Sequence, residues 1–266
     1  MSNAARMPTL FISHGGGPCF FMEWDPPDTW KALGDWLRGL AATLPRARAV
    51  AVVSAHWEAP EYRVTAQAQP PLIYDYYGFP PHTYALRYPA PGDPALARRI
   101  VSLLAGAGLP ALADDVRGFD HGVFVPFLLI YPQAEVPIVQ LSLRRPLSAA
   151  EHLRAGAALA PLRDEGVLIV GSGYSYHNMR GFGGAGERAA AEFDAWLAQT
   201  VELPDAAERA ARLQAWERAP CARQAHPREE HLLPLMVAAG AAGGDAGRRV
   251  FAGHVWGIAT SGFRFG

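Results

Sequence analysis

Val167–Asn178 reads VLIVGSGYSYHN, and this stretch sets the architecture. Its opening residues Val167-Leu168-Ile169-Val170 are all aliphatic. A strand with one wet face would alternate, so this run reads as a strand covered on both faces. It ends in Gly171-Ser172-Gly173, and His177 lies just beyond. The same pattern recurs on the N-terminal side. Thr9–Ser13 (TLFIS) leads into His14, and Ala49–Ala55 (AVAVVSA) leads into His56. Pro137–Leu143 (PIVQLSL) and Arg249–His254 (RVFAGH) are read as two further strands of the same continuous, buried kind.

Helical patterns lie between these runs. Asp28–Leu44 carries Trp30, Leu33, Leu37 and Leu40 on one stripe and closes at Pro45. Pro94–Ala107 follows Asp93, an N-cap residue, with proline at the first turn. Ser148–Arg163 opens with the capping box Ser148-Ala149-Ala150-Glu151. Glu187–Leu203, Asp205–Ala219 and Pro227–Ala239 complete the set. Strands alternating with helices predict an α/β sandwich with a mostly parallel or mixed sheet. We expect one domain over 7–266, preceded at 1–6 by a disordered lead or tag remnant, with Met7 as the natural start. The Pro- and Tyr-rich segment Gln69–Pro94 is the one long irregular stretch, of the kind that covers sites.

Half of the 266 residues are apolar, 18% are charged and the net charge is -1. That composition supports a large core and excludes a basic field for nucleic acid. Cys19 and Cys221 are too few for a disulfide framework. The expected setting is reduced and cytoplasmic, with no signal peptide or membrane span. Nothing in the residues sets the oligomeric state, and a homo-oligomer stays open.

Nine histidines are present, and their places matter more than their number. His14, His56 and His177 all fall at or just past strand ends, the edge where ligands collect in open α/β sheets. His14 precedes Gly15-Gly16-Gly17, which reads either as a plain turn or as backbone left open to a metal or substrate. His56, beside Trp57, reads as a packed ring or as a ligand. Asp120 reads as a cap for the apolar run after His121, and His121 as a group facing a pocket. His226, Pro227 and Glu229 have structural explanations at a helix start. His231, one turn in, needs a metal or an acceptor. His82 is placed to reach the site from the long loop, His152 reads as solvated, and His254 as a neighbour of the site. The HExxH of zinc peptidases and the GxSxG of serine hydrolases are both missing.

Five motifs, FISHGGGP at 11–18, SAHWE at 54–58, GFDHG at 118–122, GSGYSYHN at 171–178 and HPREEHLLPL at 226–235, occur in one order along nearly the whole chain. With them the chain resembles the class III extradiol dioxygenases, specifically the 4,5-DOPA-extradiol-dioxygenase-like branch of the LigB superfamily. The resemblance implies a three-layer αβα fold and one divalent metal per chain, Fe(II) for activity or Zn(II) as found bound. It implies His14, His56 and His231 as ligands. Adjacent residues on a helix point about 100° apart, so Glu230 and His231 cannot both face the metal; the resemblance to the DOPA-dioxygenase-like branch implies that the histidine is the ligand. That set departs from the two-histidine, one-carboxylate triad. His177 is then the acid-base residue, or a fourth ligand, and His121 steadies a bound oxygen. The implied partners are a small aromatic diol and dioxygen, with neither nucleic acid nor membrane. Candidate pocket walls are Tyr74, Tyr76, Tyr77, Phe79, Trp57 and Tyr176. Arg180, Arg144 and Arg145 are candidates for a substrate carboxylate. Competing readings of the same residues are a zinc-dependent hydrolase and a metal-free binding scaffold.

Overall fold

A computed structural model describes residues 6–266. Its core is one mixed sheet in the order β4-β3-β5-β2-β6-β1-β8-β7. The strands are β1 Thr9–Ser13, β2 Ala49–Ala59, β3 Tyr62–Thr65, β4 Ala111–Asp114, β5 Ile138–Arg144, β6 Val167–Gly173, β7 Gly247–Val255 and β8 Ile258–Phe265. The four middle strands β5, β2, β6 and β1 are parallel, and β8 and β7 close one side antiparallel. The helices are α1 Lys31–Leu40, α2 Pro94–Gly106, α3 His121–Ile130, α4 Ala149–Leu159, α5 Glu187–Val201, α6 Ala206–Gln214, the single turn α7 Ala222–Ala225, and α8 Leu233–Ala242.

The three layers follow from the alternation of β6. Successive side chains on a strand face opposite ways. A Cβ on Gly171 would collide with the Pro234 carbonyl of α8, and one on Gly173 with the His231 carbonyl. Ser172, between them, bonds instead to the Gly122 carbonyl of α3. So α8 and α3 cover opposite faces, and both faces of β6 are dry. The glycines of GSG let the α8 segment lie directly on the strand.

Three expectations are corrected. Arg249–His254 is not a strand buried on both faces: β7 is an antiparallel edge strand, largely exposed on one side, in a hairpin with β8. The helix expected at Pro227–Ala239 starts only at Leu233, and 226–232 is a run of turns. The helical spacing used to separate Glu230 from His231 therefore does not apply. His152 is not solvated: it is fully buried, with Nδ1 2.7 Å from the Ser148 carbonyl and Nε2 accepting from the Arg144 amide. Among the described residues, no helix is long and apolar enough to cross a membrane.

Candidate metal centre and active site

The parallel strands β1, β2 and β6 end at one edge of the sheet, and the histidines meet there. His14 follows β1 directly. His56 does not end its strand; β2 runs on to Ala59. Between Val53 and Glu58, however, β2 loses register with β5, whose paired residues advance only from Leu141 to Leu143. His56 sits in that bulge, which re-aims its ring. His231 arrives from the turns before α8.

Nε2 of His56 stands 3.0 Å from Nε2 of His14 and 3.3 Å from Nε2 of His231. Nitrogens bound about 2.1 Å from one ion stand roughly 3.0 Å apart at right angles and roughly 3.4 Å apart at tetrahedral angles. The far sides of the His14 and His231 rings are held by oxygen. Ser172 donates its hydroxyl proton to Gly122, so at 3.0 Å from His14 Nδ1 it must accept. His14 is thereby the tautomer with a lone pair on Nε2. His231 Nδ1 donates to Glu230 Oε1 at 2.9 Å, again leaving a lone pair on Nε2. Burial first, and neighbouring imidazoles second, push His14, His56 and His231 well below the usual histidine range. Neutral rings aiming lone pairs at one point repel unless a cation sits between them. The donor set therefore fits a divalent metal.

Two further rings complete the cluster. His121 opens α3, and its ligand atom lies within 4.8 Å of those of His14 and His56. Its Nδ1 meets Asp75 Oδ1 at 2.8 Å, and its backbone N–H donates to the same oxygen at 2.9 Å. His177 stacks on His231, with centroids 3.4 Å apart, and its Nδ1 lies 3.1 Å from Glu230 Oε1. Glu230 thus faces the outer nitrogens of two histidines. Burial raises the Glu230 carboxyl, but the His177 contact, its own backbone N–H and the Arg228 charge together outweigh burial, and the group lies below its ordinary value.

Two carboxylates of the site escape sequence reading: Asp75 entirely, and Glu230 in its role as partner to two imidazoles. Asp75 belongs to the long irregular segment. Leu72 bridges Phe119 there, and a Cβ on Gly118 would collide with the Pro71 carbonyl. Only glycine permits that approach, which seats Asp75 against His121. A hint lay in an acid placed among tyrosines and prolines, but its partner lies 46 positions away.

Other expectations change. Asp120 precedes α3 without a side-chain capping bond; its buried carboxylate instead takes Ser54, Arg117 and Gln140. His82 is bound to the Phe21 carbonyl, away from the cluster, and His254 is exposed on β7. His226 does not open α8. It follows α7, fully buried, and its Nε2 donates to the Ser175 carbonyl. The cluster forms one wall of a cavity of about 280 Å³, and Gly15, Gly16 and Gly17 line it as open backbone. Of the expected aromatic walls only Phe79 lines it. Tyr77 is 92% exposed, Tyr74 and Tyr76 are tied to backbone carbonyls, Tyr176 is buried outside the lining, and Trp57 lies under Arg117. Trp24, Trp30, Tyr174, Phe182 and Trp256 take those places. Arg144 pairs with Glu151, Arg145 lies 3.4 Å from Glu58, and Arg180 is exposed, so none of the three lines the cavity.

This sheet and histidine cluster have known relatives. Residues 8–262 match the model of the catalytic LigB subunit of aromatic ring-opening dioxygenase. The 4,5-DOPA dioxygenase extradiol of Beta vulgaris is 41% identical over 88% of this chain and 87% of its own. That of Portulaca grandiflora is 39% identical over 96% and 93%. The crystal structure of an uncharacterized Escherichia coli K12 protein, JW3007, superposes with a TM-score of 0.78 at 32% identity, covering 98% of this chain and all of that one. The chain belongs to the LigB family of aromatic ring-opening dioxygenases, and it is an enzyme of that class.

Proposed function

We propose that this protein is a metal-dependent extradiol dioxygenase that opens the ring of a catechol, with DOPA-like diols as the starting candidates. The observation that carries the reading is His56 Nε2 standing 3.0 Å from His14 Nε2 and 3.3 Å from His231 Nε2, beside an aromatic cavity. These three would hold the metal. When bound, it supplies a centre at which diol and dioxygen are brought together and electrons pass between them. Three imidazoles suit Fe(II) and also accept Zn(II); activity calls for the redox-active ion.

The remaining groups manage protons. Glu230 takes Nδ1–H of His177, so Nε2 is the atom free to receive a proton from a diol hydroxyl and later return it. Asp75 takes Nδ1–H of His121, which leaves His121 Nε2 free to contact a bound oxygen atom. The aromatic walls exclude water from the reacting atoms.

The test is oxygen uptake. Protein loaded anaerobically with Fe(II), then mixed with catechols in aerated buffer, is expected to consume oxygen and form a yellow ring-opened product. Metal-loaded protein that consumes no oxygen with any catechol overturns the reading.

A further inference from the structure

We propose that Arg228 is a positioning residue of the metal centre: gripped by Glu58 of β2, it sets the aim of the Glu230 carboxylate, and so of the His231 ring which that carboxylate holds. The inference rests on the metal centre of the reading above and brings in two residues to which that reading gives no part.

Glu58 and Arg228 belong to two of the five motifs, SAHWE and HPREEHLLPL. Glu58 lies at the far end of the β2 bulge that aims His56. Arg228 lies in the turns that carry Glu230 and His231. The two are 170 positions apart, yet the guanidinium takes both oxygens of the Glu58 carboxylate, Nη1 on Oε1 and Nη2 on Oε2, the second at 2.7 Å. Arg145 stands 3.4 Å from the same carboxylate. The pair therefore ties the strand that bears one metal-facing imidazole to the segment that bears another. Nη1 of Arg228 reaches one group more: it donates to Glu230 Oε2 at 3.4 Å.

Glu230 has an exacting task. Its other oxygen, Oε1, meets Nδ1 of His231 at 2.9 Å and Nδ1 of His177 at 3.1 Å, and those two rings are stacked. One oxygen can serve both only if the carboxylate is fixed in rotation as well as in place. Regular backbone does not fix it, because 226–232 is a run of turns and α8 begins at Leu233. A planar guanidinium bound at two points has a single orientation, which a point charge would not have. Its Nη1 thereby stands at a set place beside Glu230 and holds Oε2, which turns Oε1 toward the rings. As a plain surface ion pair the contact would add little to folding, since the Arg228 side chain is 54% exposed. Its worth lies in orientation, because imidazoles that bind metals depend on the partners behind them.

The experiment titrates the metal-free protein with Co(II), whose visible bands report the geometry of its ligands, and reads affinity by competition with a chelator. Arg228→Met and Glu58→Ala are each expected to weaken Co(II) binding by about tenfold, the lower end for partners of metal-bound imidazoles, and to alter the bands. The melting temperature of each metal-free variant is expected to stay within about 3 °C of the wild type, as for an exposed ion pair. The swap Glu58→Arg with Arg228→Glu remakes the pair but sets an acid beside Glu230, and it is expected not to recover affinity. Wild-type affinity in Arg228→Met, recovery in the swap, or a metal-free melting temperature that falls in step with affinity overturns this inference and leaves the metal centre standing. A wild type that binds no Co(II) overturns the metal centre, and this inference with it.

Discussion

At the scale of single residues, the chemistry turns on which nitrogen faces which atom. His231 points Nε2 to His56 and Nδ1 to Glu230. His231→Ala is therefore expected to lose its metal, read by elemental analysis after dialysis. His177→Ala is expected to keep the metal and lose turnover by about 10²-fold or more, the usual scale of acid-base catalysis. If Glu230→Ala strips the metal and His231→Ala does not, the ligand assignment is wrong. Asp75 holds His121 through two bonds to one oxygen and lies 4.0 Å from His56 Nδ1. Loss of such an outer partner typically costs 10–100-fold in activity or affinity. Asp75→Asn should thus lower kcat by about that factor with secondary structure unchanged by circular dichroism; unaltered kcat would remove it from the machinery. The histidines were legible because strand ends gather ligands, and because imidazole is scarce enough to notice. Asp75 was not, because a carboxylate in a loop carries no sign of what the loop folds against.

At the scale of elements, the turns at 226–232 do more than link α7 to α8. His226 Nε2 donates to the Ser175 carbonyl and His177 N–H to the Ala225 carbonyl, so this segment fixes the loop that carries His177. Burial pushes His226 down to about 4 from an ordinary 6.5. Between those values the unfolded chain takes up a proton that the folded chain refuses. The stability this ring contributes is therefore whole above about pH 6.5 and falls as pH drops toward 4, by about 3 kcal/mol in all. Urea unfolding at pH 7 and pH 5, with metal saturating, should show a larger acid loss for the wild type than for His226→Gln. Equal losses would mean that His226 is not the group responsible. The elements legible in the sequence were those with both faces covered or clear caps. β6 matches its expected bounds to the residue, and Asp93 and Ser148 cap α2 and α4 as expected. β3 and β4 were not legible because four-residue strands are too short for a period, and β4 is half exposed. The apolar residues of β7 resemble those of an inner strand, yet pairing with β8 leaves it at an edge.

On the scale of the whole molecule, the site is the place where distant parts of the chain are tied together. His14, His56 and His231 come from β1, β2 and the approach to α8, so a metal bound there stabilises the folded state and not the unfolded chain. Binding at a hundredfold excess over Kd is worth about 2.7 kcal/mol, or roughly 5 °C or more in Tm for a chain of this size. Chelation should lower Tm by that order, and re-addition of the ion should restore it; a Tm indifferent to chelator and ion would mean that the cluster is not a metal centre. The run of buried strands in the sequence is enough to bring His14, His56 and His177 to one edge. Sequence order alone could not place the wall opposite them, because Trp24 and Trp30 of the β1–α1 connection, Phe182 after β6 and Trp256 of the β7–β8 turn belong to three separate segments that only the closed fold brings together. The central claim, that this centre inserts dioxygen into a catechol ring, is tested most directly by turnover under oxygen-18 gas in ordinary water. The expected result is a ring-opened product that acquires both atoms of the labelled gas, read by mass spectrometry on rapid quenching. An unlabelled product, with its new oxygen drawn from water, or a quinone with the ring intact, would contradict it.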